Sequence, residues 1–461
     1  EGGDPGMLFM DEINRRHPVW YLGKITATNP CGEEPLLPWE NCNLGSLNLE
    51  KYVTYDEDGR PHIDWEGLAR DVRIAVRFLD NVIDANKHPL KQIEEANKLT
   101  RKIGLGVMGW AHMLIKLGVQ YDSIDAVYLA YHIAEWIAYN AYLASIELAK
   151  EKGVFPAWNP KLYRPMWWTA RSLTELLETA GINAKPSEHA LRLIAERPPV
   201  NWGNVEKQMY EYGLRNAALL SIAPTGSISI IAGTTSSIEP IFALAFMRHV
   251  SVGTFLEVDR LFLEYLRKYE MDEPELIEEI ARTGSIARFP FMPRTLKKLF
   301  RTAHDIEPIW HILHQAAWQQ WIDAAVSKTI NMRNEATIED VWNAYILAWK
   351  LGCKGITVYR DKSRREQVIY FGLKTKEKVK ETIVETKVPT VSEKAERKEQ
   401  VEYRQGVEAP TLAVVKQNRI KIPVMEAKGE TRITPKRFRI GKKEYIAVSE
   451  EYAGGCPTCD I

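Results

Sequence analysis

The sequence predicts an α/β fold, and three observations carry that expectation. Asp64 caps a helix whose residues Leu68, Val72, Ala75, Val76, Leu79, Val82 and Ile83 recur at helical spacing through Asn86. An apolar strand, Ala217 to Ile222, opens into Pro-Thr-Gly-Ser and then a helix. Thr337 caps a further helix through Val341, Ala344, Tyr345, Ala348 and Leu351, and Gly352 to Arg360 follows as a short buried strand.

A length of 461 residues allows two or three domains, or one large domain with appendages. The 45% hydrophobic and 26% charged content is that of an ordinary globular protein. Lys and Arg balance Asp and Glu, so nothing electrostatic argues for nucleic acid or an anionic membrane as partner. No apolar run reaches the roughly 20 residues of a membrane span, and no signal peptide opens the chain. The default expectation is a cytoplasmic protein. Five cysteines, Cys31, Cys42, Cys353, Cys456 and Cys459, are too scattered for a disulfide scaffold and read as catalytic or redox thiols.

Along the chain, Gly-Asp-Pro-Gly forms a turn, and Met7 to Met10 a short buried strand or helix start. Asp11 to His17 is a short helical stretch leading into Thr28–Ser46, where the chemistry concentrates. There Asn29, Cys31 and Glu33 put an amide, a thiol and a carboxylate at i, i+2 and i+4. In an extended loop tip that spacing turns all three to one face, spread over roughly 13 Å. Pro30 and Gly32 disfavour a helix, and Gly32 lets another backbone or ligand approach closely. A second thiol, Cys42, follows eleven residues later. The set suits a hydrogen-bonding amide, a thiol and a general base around one small substrate; a Pro/Gly-rich loop with buried cysteines satisfies the spacing equally.

Tyr55 to Pro61 is a polar hairpin-like segment. The glycine-rich run from Arg101 to Leu114 turns helical, but no acidic partner follows at the distance a dinucleotide site requires. Asp125 starts a long amphipathic helix ending at Gly153, its aromatics Tyr128, Tyr131, Trp136, Tyr139 and Tyr142 packing the core. In Ser221–Gly233 a strand runs into a hydroxyl-rich helix start. That presents backbone N–H groups to an anion, or is an ordinary capped helix. From Ile309 the pattern is helical, with Trp310, Leu313, Trp318 and Trp321 as core candidates, and Cys353 reads as a buried structural thiol. Beyond about Phe371 the composition shifts to Lys, Glu, Val and Thr without an apolar face, as in a linker or weakly ordered arm. It ends in Cys456-Pro-Thr-Cys459, a pair suited to thiol–disulfide exchange, with zinc binding as the competing reading.

Asn-Pro-Cys-Gly-Glu, followed by Asn-Cys-Asn-Leu-Gly-Ser-Leu-Asn-Leu, resembles the finger loop of the ribonucleotide reductase large chain, most closely in the adenosylcobalamin-dependent class. Pro-Thr-Gly-Ser-Ile-Ser, with Ser236–Pro240, resembles the substrate-phosphate loop of the same enzymes. The resemblance implies part of a ten-stranded α/β barrel over residues 1–370, then a linker over 371–447 and a redox tail over 448–461. It implies that Cys31 carries a thiyl radical, Glu33 is the base at the ribose 3′-hydroxyl, Asn29 orients the sugar hydroxyls and Cys42 is redox-active. Thr225, Gly226, Ser227, Ile228 and Ser229 would bind substrate phosphate, and Cys456 and Cys459 would relay electrons from a thioredoxin-like reductant. Adenosylcobalamin would be the cofactor, a ribonucleoside di- or triphosphate the substrate, with nucleotide effectors and a homodimer as further family expectations. A single tyrosine, Tyr359, in the last strand favours a radical made within the active site over the iron-dependent class, which uses adjacent tyrosines here. The alternatives are that iron-dependent class, or an inactive fragment whose tail dithiol exchanges disulfides or binds zinc. The opening Glu1-Gly-Gly-Asp-Pro-Gly resembles an internal stretch of the family, and the cysteine expected to pair with Cys42 lies upstream in these proteins. The expectation is therefore a C-terminal part that needs an upstream segment.

Overall fold

A staggered series of parallel strands, all but the first reached through helices, carries the site. The computed structural model describes residues 6–250, 253–363, 436–440 and 443–448. All of them belong to one unit, and a second unit, Lys374–Pro435, lies outside the described residues. The chain begins with β1 (Gly6–Leu8) and α1 (Met10–Arg15), then the short hairpin β2 (Ala27–Thr28) and β3 (Pro35–Leu36). Next come β4 (Leu44–Asn48), a second hairpin of β5 (Val53–Tyr55) and β6 (Pro61–Ile63), and helices α2 (Trp65–Ala85) and α3 (Lys91–Thr100).

β7 (Gly104–Met108) pairs in parallel with β4, Leu44 opposite Gly104. Helices α4 (Trp110–Lys116), α5 (Ile124–Lys152), α6 (Leu173–Thr179), α7 (Glu188–Ala195) and α8 (Trp202–Tyr212) then lead to the apolar stretch 217–222. That stretch forms single parallel bridges, Leu105 to Leu220 on one side and Ile222 to Val326 on the other. After it come α9 (Gly226–Ala232), the antiparallel pair β8 (Ala245–Val250) and β9 (Gly253–Val258), and helices α10 (Arg260–Lys268), α11 (Pro274–Ala281), α12 (Arg294–Leu299) and α13 (Pro308–Gln319). β10 (Thr329–Met332), α14 (Ile338–Lys350) and β11 (Gly355–Arg360) close the parallel series, Thr329 opposite Thr357. β1 reverses the polarity and runs antiparallel to β11. Within the stretch expected to be a linker, β12 (Lys436–Ile440) and β13 (Lys443–Val448) form a hairpin whose second strand joins β9 in parallel.

Local chemistry explains the elements. Asp64 caps α2 by accepting from the Gly67 N–H at 2.9 Å, a contribution of about 1 kcal/mol. Leu68, Val72, Val76 and Leu79 are buried, each stabilising the fold by about 1.5–3 kcal/mol. Thr337 and Asp340 form a reciprocal capping box at the start of α14. The long helix differs from its expected amphipathic form: α5 starts under a Ser123 cap and is buried on most of its surface, packed against α2, α8 and α13. Its alanines let those helices approach closely. β1 also differs, since Met7 and Leu8 are exposed where a buried run was expected.

Candidate active site

The β2–β3 hairpin turns through Asn29–Glu34. The Gly32 N–H donates to the Asn29 carbonyl at 3.1 Å, and Gly32 adopts a left-handed φ of 81°, where a Cβ would be strained. The Asn29 carboxamide closes the turn, its Oδ1 accepting from the Glu34 N–H at 2.9 Å. The tip is therefore a tight turn instead of the expected extended run, and Asn29 lies within hydrogen-bonding reach of the Glu33 carboxylate.

The barrel wall grips this tip through its backbone. The Ala325 N–H and the Ser221 hydroxyl both donate to the Glu33 carbonyl, at 2.8 and 3.0 Å. The Glu33 side chain is 2% exposed, and its Oε2 has no hydrogen-bond partner. Burial raises the carboxyl above its ordinary range, with Asn29 opposing. The result is a base with an unspent acceptor atom, held in a dry setting.

Cys31 is half-buried and lines a cavity of about 140 Å³ with Thr28, Gln315, Lys328, Gly355 and Thr357, while Met7 and Leu8 of β1 line it as well. Lys328 is buried and held by the Glu239 carboxylate, by His311 Nδ1 at 2.9 Å and by the Thr329 carbonyl at 2.6 Å. Burial lowers the pKa of its ammonium, and the charge of Glu239 opposes that shift. Gln315 Nε2 donates to the carbonyls of Val326 and Gly355, leaving Oε1 without a partner. Lys328, Glu239 and Gln315 were not singled out as site residues from the sequence. The one local signal is a lone cation, Lys328, inside the otherwise uncharged run Ala324–Met332.

Cys42 lies on the exposed stretch before β4. Desolvation of its thiol, then the charges of Glu34, Glu33 and Cys31, push it up to about 12. That coupling brings Cys42 into the electrostatic neighbourhood of Cys31. Cys353 is fully buried, and burial pushes its thiol up to about 12 as well. No disulfide joins Cys31, Cys42 and Cys353.

The expected phosphate loop starts α9. Thr225 sits in the left-handed region at φ 58°, and its Oγ1 accepts from the Ser237 N–H at 2.7 Å. Ser229 is buried and donates to the Gly226 carbonyl at 3.0 Å. Both hydroxyls are thus engaged within the loop. Ser227 and Ile228 are exposed, and the first-turn amides of Gly226, Ser227 and Ile228 have no acceptor within the helix. Cys456 and Cys459 lie outside the described residues. Among the described residues no cluster of His, Cys, Asp and Glu suits a metal ion, and no helix is long and apolar enough to cross a membrane.

Parallel strands and helices bonded to a thiol-bearing hairpin define an α/β domain with a cysteine at the tip of a turn. A family model described as "Ribonucleotide reductase, barrel domain" matches residues 1–359, and the chain belongs to that family. It is 46% identical to the vitamin B12-dependent ribonucleoside-diphosphate reductase of Thermoplasma acidophilum over 390 residues, 84% of this chain and 44% of that protein. It is 43% identical to the protein of the same name from Mycobacterium tuberculosis over 80% of this chain and 45% of that one. A ribonucleoside-diphosphate reductase subunit alpha from Chlamydia pneumoniae is 34% identical over 77% of this chain and 33% of its own length. The chain thus spans less than half the length of these curated relatives. Its fold resembles that of the Actinobacillus ureae class Id ribonucleotide reductase alpha subunit, with a TM-score of 0.57 at 24% identity, over 78% of this chain and 58% of that one.

Proposed function

We propose that this chain forms the part of an adenosylcobalamin-dependent ribonucleotide reductase that reduces a ribonucleotide to its 2′-deoxyribonucleotide. The observation that carries the reading is the fingertip itself, where a half-buried thiol at Cys31 lines a cavity and the buried carboxylate of Glu33 stands two residues away. The names of the Thermoplasma and Mycobacterium relatives favour a diphosphate substrate.

Cys31 removes the ribose 3′-hydrogen as a thiyl radical, and Glu33 accepts the 3′-hydroxyl proton. A desolvated carboxylate with an unspent oxygen suits that task. Asn29 holds the turn and orients the sugar hydroxyls. Cys42, with a partner thiol from an upstream segment, is oxidised as the 2′-hydroxyl leaves as water. Cys456 and Cys459 return electrons from a thioredoxin-like reductant. Substrate phosphate meets the amides of Gly226, Ser227 and Ile228 and the hydroxyl of Ser227, with Thr225 and Ser229 shaping the loop.

The residues present fit the cofactor. Among the described residues, Cys31 is the only cysteine and Lys328 the only charged side chain lining the cavity, and Met7, Leu8 and Ile356 give it apolar walls that would hold the adenosyl end. When bound, adenosylcobalamin supplies the radical equivalent that takes the hydrogen atom from the Cys31 thiol.

The test is to capture the native assembly with antibody to this chain and to assay ribonucleotide reduction with and without adenosylcobalamin under a dithiol reductant. Cobalamin-dependent product supports the reading. Activity that ignores cobalamin and needs a separate radical-generating subunit selects the iron-dependent class, and no activity in either condition overturns both.

A further inference from the structure

A second cavity, of about 20 Å³, shares no lining residue with the one at Cys31. Its walls include His17, Glu34, Lys102, Asp323 and Lys354, five ionisable residues from five separate segments. All five side chains are more than nine-tenths buried. Three of them have partners. Lys102 pairs with Glu40 at 2.6 Å, and Lys354 donates to the Asp323 carbonyl at 2.5 Å. The Asp323 carboxylate accepts from the N–H groups of Leu219 and Leu220 and from the Tyr142 hydroxyl.

What remains is Glu34 Oε1 and the ring of His17, whose nitrogens complete no hydrogen bond although the Gly23 backbone lies close enough to act on one of them. Glu34 packs directly on the barrel backbone, because a Cβ at Gly104 of β7 would overlap its Oε1. It follows Glu33 in the chain and lines this cavity together with Pro35, so its side chain anchors the fingertip where the turn enters β3. Desolvation, then the like charges of Glu33 and Glu40, push Glu34 up to about 8 against the pull of Ser221 and Lys102. Burial beside Lys102 and Lys354 holds His17 far below its ordinary range, hence neutral. A protonated carboxyl offers one O–H, and a neutral imidazole one N–H and one lone pair. A space of this size accepts one water, which needs two to four polar partners.

We propose that this cavity is the site of one structural water joining Glu34 to His17, and that Glu34 is a positioning residue which locks the fingertip against β7. It rests on the reductase reading only in that the fingertip it positions carries Cys31 and Glu33. Ionising Glu34 puts a second carboxylate charge beside Glu33 in a buried space, so the lock loosens as pH rises toward about 8 and no further above it.

Two measurements on the native assembly test this without substrate. A high-resolution crystal structure is expected to show a single ordered water within hydrogen-bonding distance of both Glu34 and His17; a dry cavity, or one filled by direct contact of the two side chains, overturns the proposal. Hydrogen exchange at the Glu34 and Ala325 amides, corrected for intrinsic rate, is expected to lose up to about tenfold in protection for each pH unit between the ordinary carboxylate range and about 8, and to level off above it. E34Q keeps the neutral hydrogen bonds and is expected to hold wild-type protection while abolishing that pH dependence. H17L is expected to lose protection at every pH. Wild-type pH dependence in E34Q overturns the proposal, even where H17L fails to fold. Reductase activity lost with the water and pH dependence intact fails the functional reading alone; a dry cavity in an active reductase fails this one alone.

Discussion

The Ala325 N–H donates to the Glu33 carbonyl across 2.8 Å, joining residues almost three hundred positions apart. The fingertip is thereby hydrogen-bonded to the barrel wall through its backbone, and the side chain of Glu33 stays free of that task. Its base function and its placement are separable by mutation.

Glu33→Gln is expected to lower turnover about 10²–10⁴-fold while leaving the thermal midpoint unchanged or raised, because a costly buried carboxylate is replaced by a neutral amide. Steady-state kinetics alongside thermal unfolding check this. A large drop in stability would mean that the side chain, not the backbone, holds the tip.

The acid limb of kcat/KM should lie above the ordinary carboxylate range, since the base must be ionised and burial raises Glu33. The stability linkage has the matching sign. A carboxyl raised in the folded state binds protons more tightly there than in the unfolded chain. Its contribution is full at low pH and is lost as pH rises through the folded value. An acid limb at the position of an exposed glutamate would refute the assignment.

Lys328→Ala leaves Glu239 buried without its cation and should destabilise the protein by about 3–5 kcal/mol in urea unfolding. Lys328→Met combined with Glu239→Gln should recover most of that loss. A double variant as unstable as the single one would show that packing, not charge, dominates.

Gly106→Ala would drive a Cβ into the Ser221 carbonyl oxygen, a backbone atom that cannot move without parting β7 from the 217–222 stretch. A loss of about 3 kcal/mol or more is expected, measured by denaturant titration. Thr225→Ala removes the acceptor for the Ser237 N–H and should cost about 1–3 kcal/mol. Thr225→Asn, which tolerates left-handed backbone and keeps an acceptor, should cost less.

The helices were legible because their signals are local: Asp64 and Thr337 cap as their positions predict, and the apolar spacing of α2 needs no partner to be read. The 217–222 stretch was expected as a strand from its apolar run; it is buried between its neighbours but forms only single parallel bridges at Leu220 and Ile222. The fingertip was legible in composition but not in shape. Asn29 spends its carboxamide oxygen on the Glu34 amide, a turn-closing contact that an alternating pattern does not reveal. Glu34 and Gln315 escaped notice because their meaning comes from segments far apart in the chain converging on them. The exposure of β1 escaped for the opposite reason: an apolar run alone does not say on how many sides it will be covered.

Where β1 meets β11, strands of opposite polarity join over three residue pairs, from Gly6 opposite Thr357 to Leu8 opposite Gly355. That seam is also a wall of the cavity at Cys31. It holds by three pairs against the four of the parallel β10–β11 ladder, so parting it would leave that ladder, the fingertip and its clamp at Ala325 in place. Strengthening or weakening those few rungs would therefore change the wall of the cavity without touching the reactive groups.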